Sequence, residues 1–365
     1  MRKELETYMG LVRAALWSKT AEWPEAQTES LLRLNAMQGT GALVYPSVLA
    51  EPTLSSYARA QMKSVCVHTM QQHVQLQHTL QTAWTALEKA GIHAVLMKGA
   101  GLAALYPDPQ QRHWGDIDLF VGKDQYHPAA AVMRDTFPDA LKFDEELDHY
   151  KHYNLIADGV SIEVHRVTVS MQHPLDERRY ERMEKEGMIG ETLMVNGLEV
   201  RVPEPTFNAL FVFLHSWEHL LTQGANIRQF CDLALLLHHY ADRIDRARLR
   251  RYLKELHLQD AWMLYVSIMH YHMGLEGDWK LFGSTSAAPR SEVLLEDLLD
   301  GRLREPKSDK PSSPYRLIRK IQTMRSRLEN AQRIKKYSPS YARHMAATTI
   351  LHGASRLFAK DRHWE

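Results

Sequence analysis

Two aspartates separated by one apolar residue begin the run at residues 116–121, which alternates acid with apolar before it becomes fully apolar. Side chains two residues apart on a strand point to the same face, so Asp116 and Asp118 would lie side by side while Ile117 and Leu119 enter a core. Two carboxylates on one face repel each other unless a cation lies between them. Oxygen ligands favour Mg²⁺ or Mn²⁺ over zinc. The run therefore predicts a strand that carries part of a divalent-cation site.

A third acid follows on a second predicted strand. Residues 160–165 alternate in the same way, with Ser161, Glu163 and His165 on the polar face. Glu163 is the acid that would complete the site, and His165 lies two residues beyond it on the same face.

A glycine-containing turn precedes the aspartate strand. Residues 92–97 predict a buried strand that ends at Lys98, after which Gly99 and Gly101 lead into a short helix at 102–105. Glycines would let a triphosphate approach the backbone, and Lys98 with the helix N-terminus would offset its charge. A surface lysine that merely closes the strand is the alternative for Lys98.

Arg112 lies in the loop at 106–114, between this turn and the aspartate strand. The sequence leaves two interpretations open, a contact with phosphate or an ion pair with an acid.

These stretches resemble the nucleotidyltransferase superfamily that includes DNA polymerase beta, in which a Gly-rich turn precedes an Asp-x-Asp strand and a later strand gives a third acid. More narrowly, Leu-Met-Lys-Gly, Leu-Tyr-Pro, Arg112, Asp-Ile-Asp-Leu and Ile-Glu-Val-His look like the bacterial family of uncharacterised nucleotidyltransferases. The likeness runs through most of the chain. The superfamily turn is usually Gly-Gly or Gly-Ser, whereas this chain has Lys-Gly-Ala-Gly and a longer gap before Asp116.

The resemblance implies an enzyme that uses Mg²⁺ or Mn²⁺ to move a nucleoside monophosphate from a nucleoside triphosphate to a hydroxyl-bearing acceptor, with release of pyrophosphate. Asp116, Asp118 and Glu163 would hold the ions. Lys98 and the glycine turn would hold the β- and γ-phosphates, and Arg112 would neutralise charge near the leaving group. The same residues would also serve a non-catalytic nucleotide-binding module, which is the alternative function.

The acceptor side is less defined. The resemblance makes His165 a possible general base or acceptor contact. The acceptor itself could be a small molecule, a sugar, a peptide or protein, or RNA, and nothing in the sequence selects among them or names the donor nucleotide.

A histidine pair further along the chain supplies a competing motif. His215, Glu218 and His219 fit H-x-x-E-H, the inverted zinc-protease signature, and the two histidines would share one helix face. Arg228 and Asp232 follow on the next predicted helix, an arrangement that recurs in the resembled family. Three interpretations stay open: a packed, hydrogen-bonded pair, contacts to the nucleotide or acceptor, and a zinc hydrolase.

The chain as a whole predicts an α+β fold, a small mixed-sheet nucleotidyltransferase core flanked by N-terminal and C-terminal helical regions. We divide it into an N-terminal helical region at 1–90, the catalytic core at 91–204, a helical cap on the acceptor side at 205–300 and a basic helical segment at 301–365.

Within the core, further strands are predicted at 153–157 and in a hairpin at 192–202 about Asn196 and Gly197, with a helix at 123–137. Linkers are expected at 283–289 and 306–314 around a short helix at 292–299.

Composition and charge frame these sites. Cys66 and Cys231 are too few for a disulfide framework, and with no apolar leader or transmembrane run the default location is the cytoplasm. Residues 301–365 contain 16 Lys and Arg against 5 Asp and Glu, in a chain whose net charge is +1. The basic amphipathic helix at 315–337 could contact an anionic partner, although docking of its apolar stripe on the body is the preferred interpretation. The oligomeric state is not indicated.

Overall fold

Helices precede and follow a small mixed sheet along the chain, which confirms the predicted fold class. The computed structural model describes residues 2–143, 147, 151–171, 174–188, 190–222, 224–283, 287–303 and 316–357. The helices are α1 Lys3–Leu16, α2 Thr28–Gln38, α3 Gly41–Val48, α4 Ser56–Lys89, α5 Gly99–Ala103, α6 Gly122–Thr136, α7 Pro174–Gly187, α8 Pro205–Thr222, α9 Ile227–His239, α10 Arg246–Glu255, α11 Gln259–Met273, α12 Ala287–Leu299, α13 Arg316–Ile334 and α14 Pro339–Leu357. The strands are β1 Val95–Met97, β2 Asp116–Phe120, β3 Leu141–Lys142, β4 His152–Ala157, β5 Val160–His165, β6 Glu191–Val195 and β7 Leu198–Val202.

Five strands form one sheet in the order β1-β2-β5-β4-β3, and β6 pairs with β7 in a separate hairpin. Strands β2 and β5 run parallel, with Asp118 level with Glu163. A parallel pair needs a crossover connection, which here contains α6, the edge strand β3 and its neighbour β4. Strand β1 pairs antiparallel with β2 and places Met97 opposite Asp118. The two acid-bearing strands are therefore direct neighbours at the centre of the sheet.

The two faces of the sheet meet different surroundings. Ile117 and Leu119 of β2 lie in an apolar core that the sheet shares with α4 and α6. Met97 and Phe120, on the other face, pack instead with the helical body. Because side chains alternate along a strand, Asp116 and Asp118 lie on this second face. We call it the acid face; it is turned toward the helical body.

The helical body has one apolar core built from both ends of the chain. Tyr8 of α1 and Tyr45 of α3 share it with Phe213 of α8, Tyr265 of α11 and Leu295 of α12. Our division places these helices in two regions, 1–90 and 205–300, because it follows the order of the sequence. In the structure, helices from both regions share one apolar core.

Helix α4 links this core to the sheet. It has 34 residues, about 50 Å of helix. Ala58 and Met62 in its first half lie in the helical body, and Leu80 and Leu87 in its second half lie in the core of the sheet. The helix thereby fixes the position of the sheet relative to the body.

Several predicted boundaries differ from the observed ones. The strand predicted at 92–97 is only Val95–Met97, and the helix predicted at 102–105 is α5, which begins earlier and includes both glycines of the turn. The hairpin at 192–202 is confirmed, with φ of 48° at Asn196 and 84° at Gly197, as a primed two-residue turn requires.

The C-terminal elements are described in part. The linker predicted at 306–314 lies outside the described residues, as do 284–286 of the linker at 283–289, and α12 begins at Ala287 within the latter range. Helix α13 occupies most of the predicted basic helix, and Ala331 and Ile334 near its end are buried in the helical body. No helix among the described residues combines the length and apolar character needed to cross a bilayer.

Candidate functional site

The three predicted acids meet on the acid face. The side chain of Asp116 is 44% exposed, that of Glu163 is 23% exposed, and that of Asp118 is fully buried. The Oδ2 atom of Asp118 has no hydrogen-bond partner among the described residues. Buried carboxylate oxygens are normally paired, because an unpaired one loses its hydration without compensation. The orphaned oxygen, beside two further acids, fits a cation-binding position.

Lys98 and His165 both contact the other oxygen of Asp118. Lys98 Nζ is 2.8 Å from Asp118 Oδ1 and 4.0 Å from Asp116 Oδ2. His165 Nε2 is 3.0 Å from Asp118 Oδ1 and 3.1 Å from Glu163 Oε2. Three carboxylates therefore share one lysine and one histidine, which leaves the site electronegative.

The pKa values of these groups follow from their contacts. Burial lowers the pKa of Lys98, but the three acids outweigh it and leave the pKa raised. His165 behaves in the same way, because the hydrogen bonds to Asp118 and Glu163 outweigh its burial and raise its pKa. Burial opposes ionisation of Glu163, yet His165 and Lys98 lower its pKa to about 2. Contact with opposite charge thus favours the ionised forms of Lys98, His165 and Glu163 over the neutral ones.

The local backbone explains how Lys98 reaches Asp118. Lys98 lies between β1 and α5 with φ of 49°, a conformation that is uncommon outside glycine. Gly99 follows with φ of 38°, and a Cβ there would lie 3.2 Å from both the Asp116 carbonyl oxygen and the Trp114 ring. Glycine is required because the turn passes directly over the strand. Gly99 is buried, so its packing accounts for the glycine, and a phosphate-binding role for the turn stays a prediction.

His152 is a residue of the site that sequence reasoning missed. It pairs in register with His165 across β4 and β5, and its Nδ1 is 4.0 Å from Glu163 Oε2. His152, Glu163 and His165 each present a ligand atom within 4.8 Å of the others. The sequence signal is the alternation of His152 and Asn154 with the buried Tyr153 and Leu155. The strand predicted at 153–157 begins one residue too late to include His152.

Arg112 takes the second of its two predicted roles in this structure. It is 3% exposed, and its Nε and Nη2 atoms lie 2.7 and 2.9 Å from the two carboxylate oxygens of Asp232. The hydroxyl of Tyr106 donates to the same carboxylate at 2.8 Å. Arg228 Nη1, at 3.5 Å, completes the group. The pair joins the loop before β2 to α9, and the nucleotide and acceptor contacts predicted for these residues stay predictions.

The histidine pair on α8 faces the acid side of the molecule. His215 Nε2 and His219 Nε2 are 3.1 Å apart. Burial is the largest cause of the lowered pKa of both rings, and the positive charge of Lys98 is the next, which places the pair within electrostatic reach of the acid face. The pKa of His219 falls to about 4, so the ring is neutral at pH 7.

A zinc-protease arrangement of this pair lacks support. Two groups of three metal-ligating side chains occur among the described residues, and neither includes His215 or His219. Glu218, the candidate base of that motif, lies 3.7 Å from Lys151 Nζ. A catalytic zinc needs three protein ligands, so the geometry favours a hydrogen-bonded neutral pair at the edge of the site.

The structure thus brings together five of the predicted residues: Asp116, Asp118, Glu163, Lys98 and His165. His165 is only 2% exposed, and its Nε2 contacts the carboxylates of Asp118 and Glu163; its role as a general base or acceptor contact stays a prediction. Such a set of acids, buried and electronegative beside an open aspartate, can bind divalent cations and through them a polyphosphate.

Comparison with known proteins places this site in a family. The family model described as "Uncharacterised nucleotidyltransferase" matches residues 24–274. A crystal structure of an antigenic nucleotidyltransferase-like protein from Paracoccidioides brasiliensis is similar over 43% of this chain and 73% of its own, with 19% identity and a TM-score of 0.30. No curated protein matches the sequence. The family match spans the acid face, the turn at Lys98 and the helices on both sides, so the chain belongs to the uncharacterised nucleotidyltransferase family.

Proposed function

We propose that the protein moves a nucleoside monophosphate from a nucleoside triphosphate to a hydroxyl group and releases pyrophosphate, with Mg²⁺ or Mn²⁺ held by Asp116, Asp118 and Glu163. The observation that carries the proposal is the buried Oδ2 of Asp118, which has no partner among the described residues. Two further acids share its face of the sheet, Asp116 on the same strand and Glu163 on the parallel neighbour β5. A divalent cation there would remove the cost of the orphaned oxygen. The oxygen ligands match the preference of Mg²⁺ and Mn²⁺.

In the proposed reaction the acceptor oxygen attacks the α-phosphorus in line, and the bond from that phosphorus to the bridging oxygen breaks. The hydroxyl proton passes to water, and pyrophosphate leaves with the bonding electron pair. A divalent ion, when bound, would lower the pKa of the attacking hydroxyl and offset the charge on the leaving group. The protein itself contributes position and fixed charge.

Lys98 would have two partners in this scheme. Its ammonium group contacts Asp118 Oδ1, and a divalent ion would bind Oδ2 of the same carboxylate as a second counter-charge. Once that carboxylate is otherwise neutralised, Lys98 Nζ becomes available to a phosphate oxygen of the donor. This agrees with the predicted phosphate role of Lys98.

The acceptor is expected on the side of α8. His215 and His219 are neutral at pH 7, so they can donate or accept a hydrogen bond without adding charge beside the acids. Asp116, the most exposed of the three acids, lies at the mouth of the site. Hydroxyl-bearing acceptors of several kinds suit such surroundings.

Thermal shift with each of the four common nucleoside triphosphates, with and without Mg²⁺, tests the site. We expect one nucleotide to stabilise the wild type only when Mg²⁺ is present, and the variant Asp116→Ala/Asp118→Ala to lose that effect. Stabilisation without pyrophosphate release in the presence of acceptor-rich extract would indicate a nucleotide-binding module. An unchanged shift in the double variant would refute the assignment of the acids.

Glu163→Gln tests the role of the third acid. The amide keeps the shape of the side chain and its contact with His165 but removes the charge. If Glu163 serves the attacking hydroxyl, turnover should fall by roughly 10²-fold or more while the nucleotide Kd changes far less. Equal losses in turnover and nucleotide affinity would contradict this role.

A further inference from the structure

A second group of metal-ligating side chains lies where α7, the turn between α10 and α11, and α14 meet. Asp176 comes from the first turn of α7, His257 from the turn and His344 from α14. Each presents one ligand atom, and the three atoms lie within 4.8 Å of one another. The group shares no residue with the acid face. Three segments far apart in sequence therefore bring two imidazoles and a carboxylate to one point.

Asp176 is already oriented toward the two histidines. His344 Nε2 lies 2.7 Å from Asp176 Oδ2, whereas Arg179 Nη1 donates to Asp176 Oδ1 at 2.9 Å. The arginine itself is anchored on the carbonyl oxygen of Glu255, at 3.0 Å. A metal-ligating carboxylate commonly has its second oxygen fixed by such a hydrogen bond. One oxygen of Asp176 is thus fixed by the protein, and the other faces His344.

His257 lies directly against His344 at the end of α10. Its φ of 59° is that of the left-handed residue that ends this helix, where the Leu258 N–H donates to the Leu253 carbonyl oxygen. The ring stacks on His344, with 4.0 Å between centroids and 27° between planes. Its ligand nitrogen lies within 4.8 Å of the ligand atoms of Asp176 and His344.

We propose that Asp176, His257 and His344 bind a divalent transition-metal ion, Zn²⁺ in the first place, which fastens α14 to α7 and to the turn after α10. Two histidines and a carboxylate are a common ligand set for zinc, with water in the fourth position. The imidazoles disfavour Mg²⁺, which prefers oxygen. The group lacks the two further carboxylates, Asp116 and Asp118, that the acid face adds to His152, Glu163 and His165.

The ion would act through α14 on the rest of the molecule. Tyr341, one turn before His344, packs edge-on against Trp217 of α8 with 5.5 Å between ring centroids. The hydroxyl of Ser340 donates a hydrogen bond to Asp260 Oδ2. Helix α8 also carries His215 and His219. Zinc at this point would stabilise the packing of the C-terminal helix beneath the acceptor side.

Metal-free full-length protein, titrated with Zn²⁺ while Mg²⁺ is present in excess, tests the proposal. We compare the wild type with His257→Ala/His344→Ala and with His238→Ala/His239→Ala, a matched control that removes two exposed histidines of α9. The wild type and the control should bind one more equivalent of Zn²⁺ than the His257→Ala/His344→Ala variant. Zn²⁺ should also raise their Tm by about 3 °C or more, reversibly with a chelator.

His344→Gln separates metal binding from a hydrogen bond. Glutamine keeps a donor for Asp176 Oδ2 but is a poor ligand for zinc. This variant should fold and should lose the Zn²⁺-dependent rise in Tm. The proposal is overturned if His344→Gln keeps that rise, or if the wild type and the double variant bind the same number of Zn²⁺ ions.

Discussion

Two buried aspartates, Asp118 and Asp232, each lie beside a buried cation, and their surroundings differ in one respect. Both oxygens of Asp232 accept hydrogen bonds, from Arg112, Tyr106 and Arg228. Asp118 has its contacts on Oδ1 alone, and Oδ2 has none among the described residues.

The charge balance differs in the same direction. Around Asp232 two arginines serve one carboxylate, and its pKa is lowered: burial opposes ionisation, but Arg112 outweighs it. Around Asp118 three carboxylates share one lysine and one histidine. Burial beside a cation therefore does not distinguish a structural ion pair from a functional site. The excess of negative charge and the unpartnered oxygen do.

The largest expected effect is on catalysis at Asp118. Asp118→Asn should lower pyrophosphate release by roughly 10³–10⁴-fold, because one ligand of the proposed cation is lost and several kcal/mol of transition-state stabilisation with it. The measurement is pyrophosphate release from the stabilising nucleotide with an extract as acceptor source. Asp124→Asn, on the exposed first turn of α6, is the matched control. A comparable loss in Asp124→Asn would mean that the effect is not specific to Asp118.

Asp232→Asn should act on stability instead. It leaves Arg112 buried with no opposite charge, which costs about 3–5 kcal/mol of the free energy of unfolding. Urea denaturation measures this loss, and Asp118→Asn is the comparison, for which we expect a smaller change because Asp116 and Glu163 still neutralise Lys98. If the two variants are equally unstable, both aspartates are structural.

Acid should lower the free energy of unfolding through His219, beside the acid face, before it affects the ion pair of Asp232. The pKa of His219 is about 4 when folded against about 6.5 when unfolded, so the unfolded state binds more protons between these values. Above about pH 6.5 the ring is neutral in both states and costs no stability. As the pH falls toward 4, the free energy of unfolding decreases by on the order of 2 kcal/mol.

Unfolding curves at several pH values check this prediction. His219→Gln should flatten the loss between pH 6.5 and 4. Asp232→Asn should keep the slope of the wild type, because the lowered pKa of Asp232 leaves it ionised throughout that range. A steep slope that survives in His219→Gln would assign the effect to another group.

The smallest expected effect belongs to Arg228. Its contact with Asp232 is 3.5 Å long and its side chain is 22% exposed, so Arg228→Met should cost less than about 1 kcal/mol. Arg112→Met, measured alongside by urea denaturation, should cost several times more because it strands a buried carboxylate. Equal costs would mean that the two arginines share the charge of Asp232 evenly.

The fold class and the central acids could be predicted from the sequence because they depend on local periodicity. Alternation of period two in β2 and β5 fixes which side chains share a face, whatever the sheet packs against. The Asn196-Gly197 hairpin was predictable for a similar reason, since its backbone conformation is a property of two residues.

Other features could not be predicted because they depend on contacts between distant segments. Arg112 meets Asp232 across 120 residues of chain, and the sequence offered phosphate as an equally good partner. His152 joins the site through the register of β4, and a boundary error of one residue hid it. Likewise, the order of elements along the sequence does not reveal that α1 and α11 pack in one core.

The sequence by itself determined which side chains share a strand face, Asp116 with Asp118 and Glu163 with His165. The parallel pairing of β2 with β5 brings these two pairs together. Only the tertiary structure decided which buried charges are satisfied. Hydrogen-bond partners come from wherever the chain folds back, so Asp232 is saturated by residues from the loop before β2 and from α9, whereas Asp118 keeps one oxygen unpartnered among the described residues. In a low-dielectric interior that difference is large, because an unpaired carboxylate oxygen remains a strong acceptor for a cation.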